Sequence, residues 1–146
     1  MKAWVSGIGF IFTIIISFSA CSKGSSGGSD TGDGIHYITY NDSLPPVLSI
    51  TTPVADQVFN SGGTINVTGK ITDESGLYQG SIRITNNANG DILKEQLYEI
   101  HGVLSYNFNI SYPATITTAS DYTVTVWFED HGLNRTTQTV IIKAKP

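Results

Sequence analysis

The side chains able to do chemistry concentrate in two acidic tracts, Asp73-Glu74-Ser75-Gly76 and Glu129-Asp130-His131-Gly132. Calcium takes six to eight oxygen ligands at about 2.3–2.6 Å, and carboxylates on neighbouring loops can supply several of them. Asp73, Glu74, Glu129 and Asp130 are therefore candidate calcium ligands. The alternative is that they build turns, in which Asp bonds nearby backbone and Gly supplies positive φ; neither a D-x-D run nor an EF-hand spacing accompanies them. His131 beside Asp130 also offers the acid–base pair of a small hydrolase. Against catalysis, His36, His101 and His131 are scattered through linker and turns, and the chain has a single cysteine near its start and no Gly-rich phosphate loop. The expectation is a chain with no catalytic residues and no cofactor beyond that candidate calcium.

Trp127 lies in Tyr122-Thr123-Val124-Thr125-Val126-Trp127-Phe128. In a strand, period two turns the even-numbered residues inward, so Trp127 projects outward beside Thr123 and Thr125. In the usual sandwich order, Arg83 and Thr85 of a neighbouring strand share that face. An indole among polar groups suits stacking on a sugar ring or anchoring a protein partner, which makes Trp127, Arg83 and Thr125 a candidate ligand face. The plainer reading is an indole covered by lysine stems, or by Arg83 in a cation–π contact.

The elements that must carry these residues follow from length and patterning. The chain has 146 residues, 40% hydrophobic and 14% charged, which suits one compact domain. Eight Lys+Arg against twelve Asp+Glu give a net charge of −4, which argues against nucleic acid as a partner. One cysteine leaves no intramolecular disulfide and no cysteine-based zinc site.

Residues 1–20 read as a secretory signal: Lys2, then a run from Trp4 to Phe18 interrupted only by Ser, Gly and Thr, then small residues. The run is shorter than the roughly 20 apolar residues of a membrane-spanning helix. Phe18-Ser19-Ala20-Cys21 resembles a lipobox, where signal peptidase cuts before an acylated cysteine, with Phe18 standing where Leu is usual. Cys21 is thus the expected lipidation site, and acyl chains, at roughly 0.8 kcal/mol per buried methylene, the expected membrane anchor. Ser22 to Gly34 (SKGSSGGSDTGDG) offers nothing aliphatic or aromatic to bury, so residues 21–44 form a flexible tether, whose Gly/Ser-rich stretch spans about 20 Å on average. Ile35 to Tyr40 is more apolar and either packs on the domain or adds an edge strand. Pro45-Pro46 closes the tether and the domain occupies 45–146. The expected address is the cell envelope, on the outer membrane. No acidic run of the kind resembling surface-export signals follows the cysteine, because Ser22-Lys23 stands there.

After Pro46 the apolar residues recur with period two, so the pattern supports strands and no helix. Leu104, Tyr106, Phe108 and Ile110 share one face, and so do Tyr122, Val124, Val126 and Phe128. Further strands are Val47–Thr52, Thr64–Thr72 with Ile65, Val67 and Ile71 inward, Ser81–Asn86, Ile92–Tyr98 and Arg135–Lys143. Asn89-Gly90 predicts a tight hairpin in which both central residues take positive φ. About seven strands at this spacing predict an antiparallel β-sandwich, because one sheet cannot bury so many inward faces.

Three stretches near the domain's start, Pro45-Pro46-Val47-Leu48-Ser49-Ile50-Thr51-Thr52-Pro53, Phe59 before Gly62-Gly63-Thr64-Ile65-Asn66-Val67, and Asp73-Glu74-Ser75-Gly76-Leu77, resemble the opening of bacterial immunoglobulin-like domains. Ser120 to Val126 and Asp130-His131-Gly132-Leu133-Asn134 resemble that family's closing strands and D-x-x-G-N turn, with Leu133 inserted before Asn134. The resemblance implies an immunoglobulin-like fold of about seven strands. It also implies the company of lipoproteins and of modules from adhesins and glycan-handling proteins. It further implies a tyrosine-corner role for Tyr122, its hydroxyl bonding backbone near 117–119. Asp42-Ser43-Leu44 resembles an O-glycosylation acceptor of gram-negative lipoproteins, with Ser43 as the acceptor; an Asx turn is the plainer role. The expected function is a membrane-anchored envelope lipoprotein presenting a binding or structural module to a protein or glycan ligand. A carbohydrate-binding accessory lipoprotein using Trp127, and a small hydrolase using His131 and Asp130, are the alternatives.

Overall fold

The computed structural model describes residues 41–146. The signal segment, Cys21 and the chain through Tyr40 lie outside the described residues. Alternating apolar and polar side chains produce eight strands: β1 (Val47–Thr52), β2 (Val58–Asn60), β3 (Thr64–Thr72), β4 (Leu77–Asn86), β5 (Ile92–Glu99), β6 (Ser105–Pro113), β7 (Ser120–Asp130) and β8 (Arg135–Lys145). They form a three-stranded sheet in the order β1-β3-β6 and a five-stranded sheet in the order β2-β8-β7-β4-β5. All neighbours are antiparallel except β2, which runs parallel to β8.

The two sheets bury the faces that period two assigns to them. Ile65, Val67 and Ile71 of β3 are fully buried, and so are Ile82 and Ile84 of β4 and Val124, Val126 and Phe128 of β7. Phe108 of β6 stacks on Phe128 of β7 across the layers, ring centroids 5.6 Å apart. Each such side chain withdrawn from water contributes roughly 1.5–3 kcal/mol. Gly80 makes room for this packing, since a Cβ there would overlap the Phe128 ring and lie 2.7 Å from the Trp127 carbonyl oxygen.

The strands number eight where about seven are expected, the addition being Val58–Asn60, which pairs with Lys143–Lys145; three residues are too few to show an alternating pattern. Two expectations change. Leu104 is not inward: β6 starts at Ser105 and Leu104 is 57% exposed in the preceding turn. The β4–β5 hairpin is present, but its loop spans five residues. Gly90 takes φ +78° while Asn89 does not enter the positive region. Asn86 and Asn89 side chains satisfy the loop by accepting from the N–H groups of Ala88 and Asp91.

Candidate functional site

The outward residues of the larger sheet lie in rows by register, and three of these rows surround Trp127. Trp127 faces Ser81 on β4 and Thr137 on β8, and Ser81 faces Leu97 on β5. On one side lie Glu95, Arg83, Thr125 and Thr139; on the other lie Glu99, Gln79, Glu129 and Arg135. Trp127, Arg83 and Thr125 therefore share one face, as the alternation requires. Ser81 is only 1% exposed despite pointing to that face, whereas Leu97 stands 66% exposed.

The cover over Trp127 is Arg135, not Arg83. The Arg135 guanidinium carbon lies 3.9 Å from the ring centroid, and its Nη2 donates to Glu129 at 3.1 Å. Arg83 is held instead by Glu95, donating from Nη2 at 2.7 Å and Nε at 3.1 Å. The registered neighbour decides this: Arg83 sits directly opposite Glu95, and a cross-strand charge pair forms where the two face each other.

The second cluster lies where the segment before β1, the β3–β4 loop and the β7–β8 turn meet. Period two turns Asp130 inward and its neighbour Glu129 outward. Asp130 is completely buried; its Oδ1 accepts from the Asn134 backbone N–H at 2.9 Å and its Oδ2 from Asn134 Nδ2 at 3.0 Å. Asp73 Oδ1 accepts from the N–H groups of Ser75 and Gly76, at 2.9 and 2.7 Å. Asp42 Oδ1 accepts from Leu44 N–H at 3.1 Å, and its carbonyl accepts from Asn134 Nδ2 at 3.2 Å. One carboxylate oxygen from each of Asp42, Asp73 and Asp130 falls within 4.8 Å of the other two.

Of the four expected calcium ligands, Asp73 and Asp130 thus come together. Glu129 does not join them: it is on the outer face, bound to Arg135 and accepting from Gln79 at 3.0 Å. Glu74 is exposed at the rim of an open depression of about 350 Å³. The third carboxylate is Asp42, which the sequence reading placed in the tether. Its signal was the Asx turn before Pro45-Pro46, and that turn is formed, with Ser43 exposed on it. Packing continues through Pro46, which is buried and whose carbonyl accepts from Thr136.

His131 and Asp130 do not form an acid–base pair, because both Asp130 oxygens are turned to Asn134. The His131 ring lies 5.2 Å from Tyr78 and 5.7 Å from His101 between centroids. Tyr122 is 4% exposed and belongs to the core, but its hydroxyl makes no hydrogen bond to the backbone of 117–119. Burial, with a smaller contribution from Tyr112, pushes that hydroxyl's pKa up. At the opposite end of β7, Asp121 accepts from Lys143 at 2.9 Å and holds the ammonium above its ordinary pKa, assisted by Asp56.

The strand order defines an immunoglobulin-like β-sandwich. The chain passes repeatedly between the sheets, so that β3 pairs with β6 and β4 with β7. No protein-family model and no curated protein matches the chain. Among solved structures, it is similar to the Clostridium thermocellum CbhA fibronectin(III)-like modules, at 15% identity and a TM-score of 0.44, covering 68% of this chain and 96% of that one. It is also similar to murine CRIg, at 12% identity and a TM-score of 0.39, with the same coverage. The fold assignment rests on the strand order of the chain itself.

Proposed function

We propose that the chain is an envelope lipoprotein, anchored through acylated Cys21, whose tether presents a non-catalytic immunoglobulin-like module that binds a protein partner through the outer face of its larger sheet. The observation that carries the binding reading is the row Leu97-Ser81-Trp127-Thr137, in which an exposed leucine and a half-buried indole lie between rows of paired charges. An apolar centre within a polar rim is the composition of a protein-binding patch. The position of Arg135 favours a protein over a sugar. A pyranose ring stacking on Trp127 would have to displace a guanidinium already held by Glu129.

The experiment places a photo-crosslinking residue at position 97 in intact cells. A discrete protein adduct that disappears with Trp127→Ala, in a variant that still folds, supports the reading. Binding on a glycan array that depends on Trp127, without an adduct, replaces it by the carbohydrate-binding alternative. Hydrolytic turnover abolished by His131→Ala would replace both.

A further inference from the structure

We propose that Asp42, Asp73 and Asp130 form a calcium site that fastens the segment before β1 to the β3–β4 loop and the β7–β8 turn. The three carboxylates come from positions far apart in sequence and converge to within 4.8 Å. Two oxygens bonded to one calcium at about 2.3–2.6 Å can lie up to about 5 Å apart, so this spacing suits a shared ion. Asp130 is fully buried, and none of the ion pairs among the described residues reaches any of the three.

The observation that points to a ligand, apart from the clustering of charge, is Asp42 Oδ2. This oxygen is buried and has no hydrogen-bond partner. Its sister oxygen caps the Asx turn, and the Asp42 carboxylate that carries both lies against those of Asp73 and Asp130. A buried carboxylate oxygen left unpaired is destabilising, and more so beside like charge; a divalent cation removes both costs. Donors that are oxygens alone select a hard cation, and calcium tolerates the irregular geometry of three independent segments better than magnesium.

The surrounding chain keeps Asp42 in place. A Cβ at Gly132 would lie 2.9 Å from both the Cβ and the carbonyl oxygen of Asp42, so only glycine lets the two segments approach this closely. Three protein carboxylates with water completing the shell correspond to an affinity of about 10⁻⁴–10⁻³ M, the range of extracellular calcium modules. The site needs neither the lipid anchor nor the outer-face partner.

The test uses the full chain, purified in detergent and stripped with EGTA, then titrated with calcium chloride by calorimetry and thermal melting, with magnesium chloride in parallel. Calcium is expected to bind at one site and to raise the melting temperature by about 5–10 °C at ten times the dissociation constant. Asp130→Asn risks unfolding, so Asp42→Asn is the deciding variant. It should weaken calcium binding by about tenfold or more, and its melting temperature without calcium should be no lower than that of the parent. Glu129→Gln, on the outer face, should leave calcium binding intact. The proposal is overturned if calcium gives neither heat nor a melting shift. It is equally overturned if Asp42→Asn responds as the parent does, or if magnesium acts as strongly as calcium.

Discussion

Arg135 covers Trp127 with its guanidinium carbon 3.9 Å from the indole centroid, and is itself held by Glu129 at 3.1 Å. The indole therefore has the sheet beneath it and a cation above it. A cation–π contact with a half-exposed ion pair is worth about 1 kcal/mol. Arg135→Ala should lower stability by about that amount. In the chain without residues 1–20, Trp127 is the single tryptophan, so the variant should also show red-shifted emission and stronger acrylamide quenching. Unchanged quenching would mean that the guanidinium does not cover the ring in solution.

Gly80→Ala should be far more damaging than an ordinary helix- or strand-propensity change. The new Cβ would overlap the Phe128 ring and approach the Trp127 carbonyl at 2.7 Å, and Phe128 is locked against Phe108. Overpacking of this kind costs about 1–3 kcal/mol, and a backbone contact leaves little room for relaxation. Chemical denaturation should show the loss directly as a lower midpoint.

Asn134 gives its side-chain amide to the buried Asp130 carboxylate and to the Asp42 carbonyl. Asn134→Ala removes both bonds and leaves a buried charge with one fewer donor, at a cost of about 2 kcal/mol. The backbone donor to Asp130 Oδ1 remains, so the turn should loosen without the sheet dissolving. Hydrogen exchange should rise in 130–136 while the central amides of β7 stay protected.

Alkaline pH should destabilise the sandwich. Burial, and secondarily Tyr106, pushes the Tyr98 hydroxyl from 10.0 up to about 12. Its ring lies 5.7 Å from both Tyr106 and Phe128. With the folded pKa above the unfolded one, the contribution to stability is complete below pH 10 and is lost as pH rises towards 12, because the unfolded chain releases the proton first. Tyr98→Phe should flatten the stability slope over that window, measured by denaturant midpoints at successive pH values.

The parts of the fold legible in the sequence are those governed by period two. Val124, Val126 and Phe128 read as inward and are buried, and Trp127 reads as outward and points that way. The same parity separates Asp130 from Glu129, although four acids in two turns look alike as composition. What was illegible depended on partners distant along the chain. β2 exists because Val58–Asn60 meets the last residues of β8. Arg135 rather than Arg83 covers Trp127 because the register gives Arg83 to Glu95. Asp42 joins Asp73 and Asp130 only once the loops that carry them are brought to one end of the sandwich. Leu133 is a related case: an inserted residue visible in the sequence, it takes φ +64° in the turn, a strained conformation for leucine.

The most direct test of a lipid-anchored module is intact mass spectrometry of the protein extracted from membranes. The account predicts a mature chain that starts at Cys21 and carries added acyl mass on that residue, with Cys21→Ser releasing the protein from the detergent phase. A chain that retains residues 1–20, or one that starts elsewhere with an unmodified thiol, would contradict it.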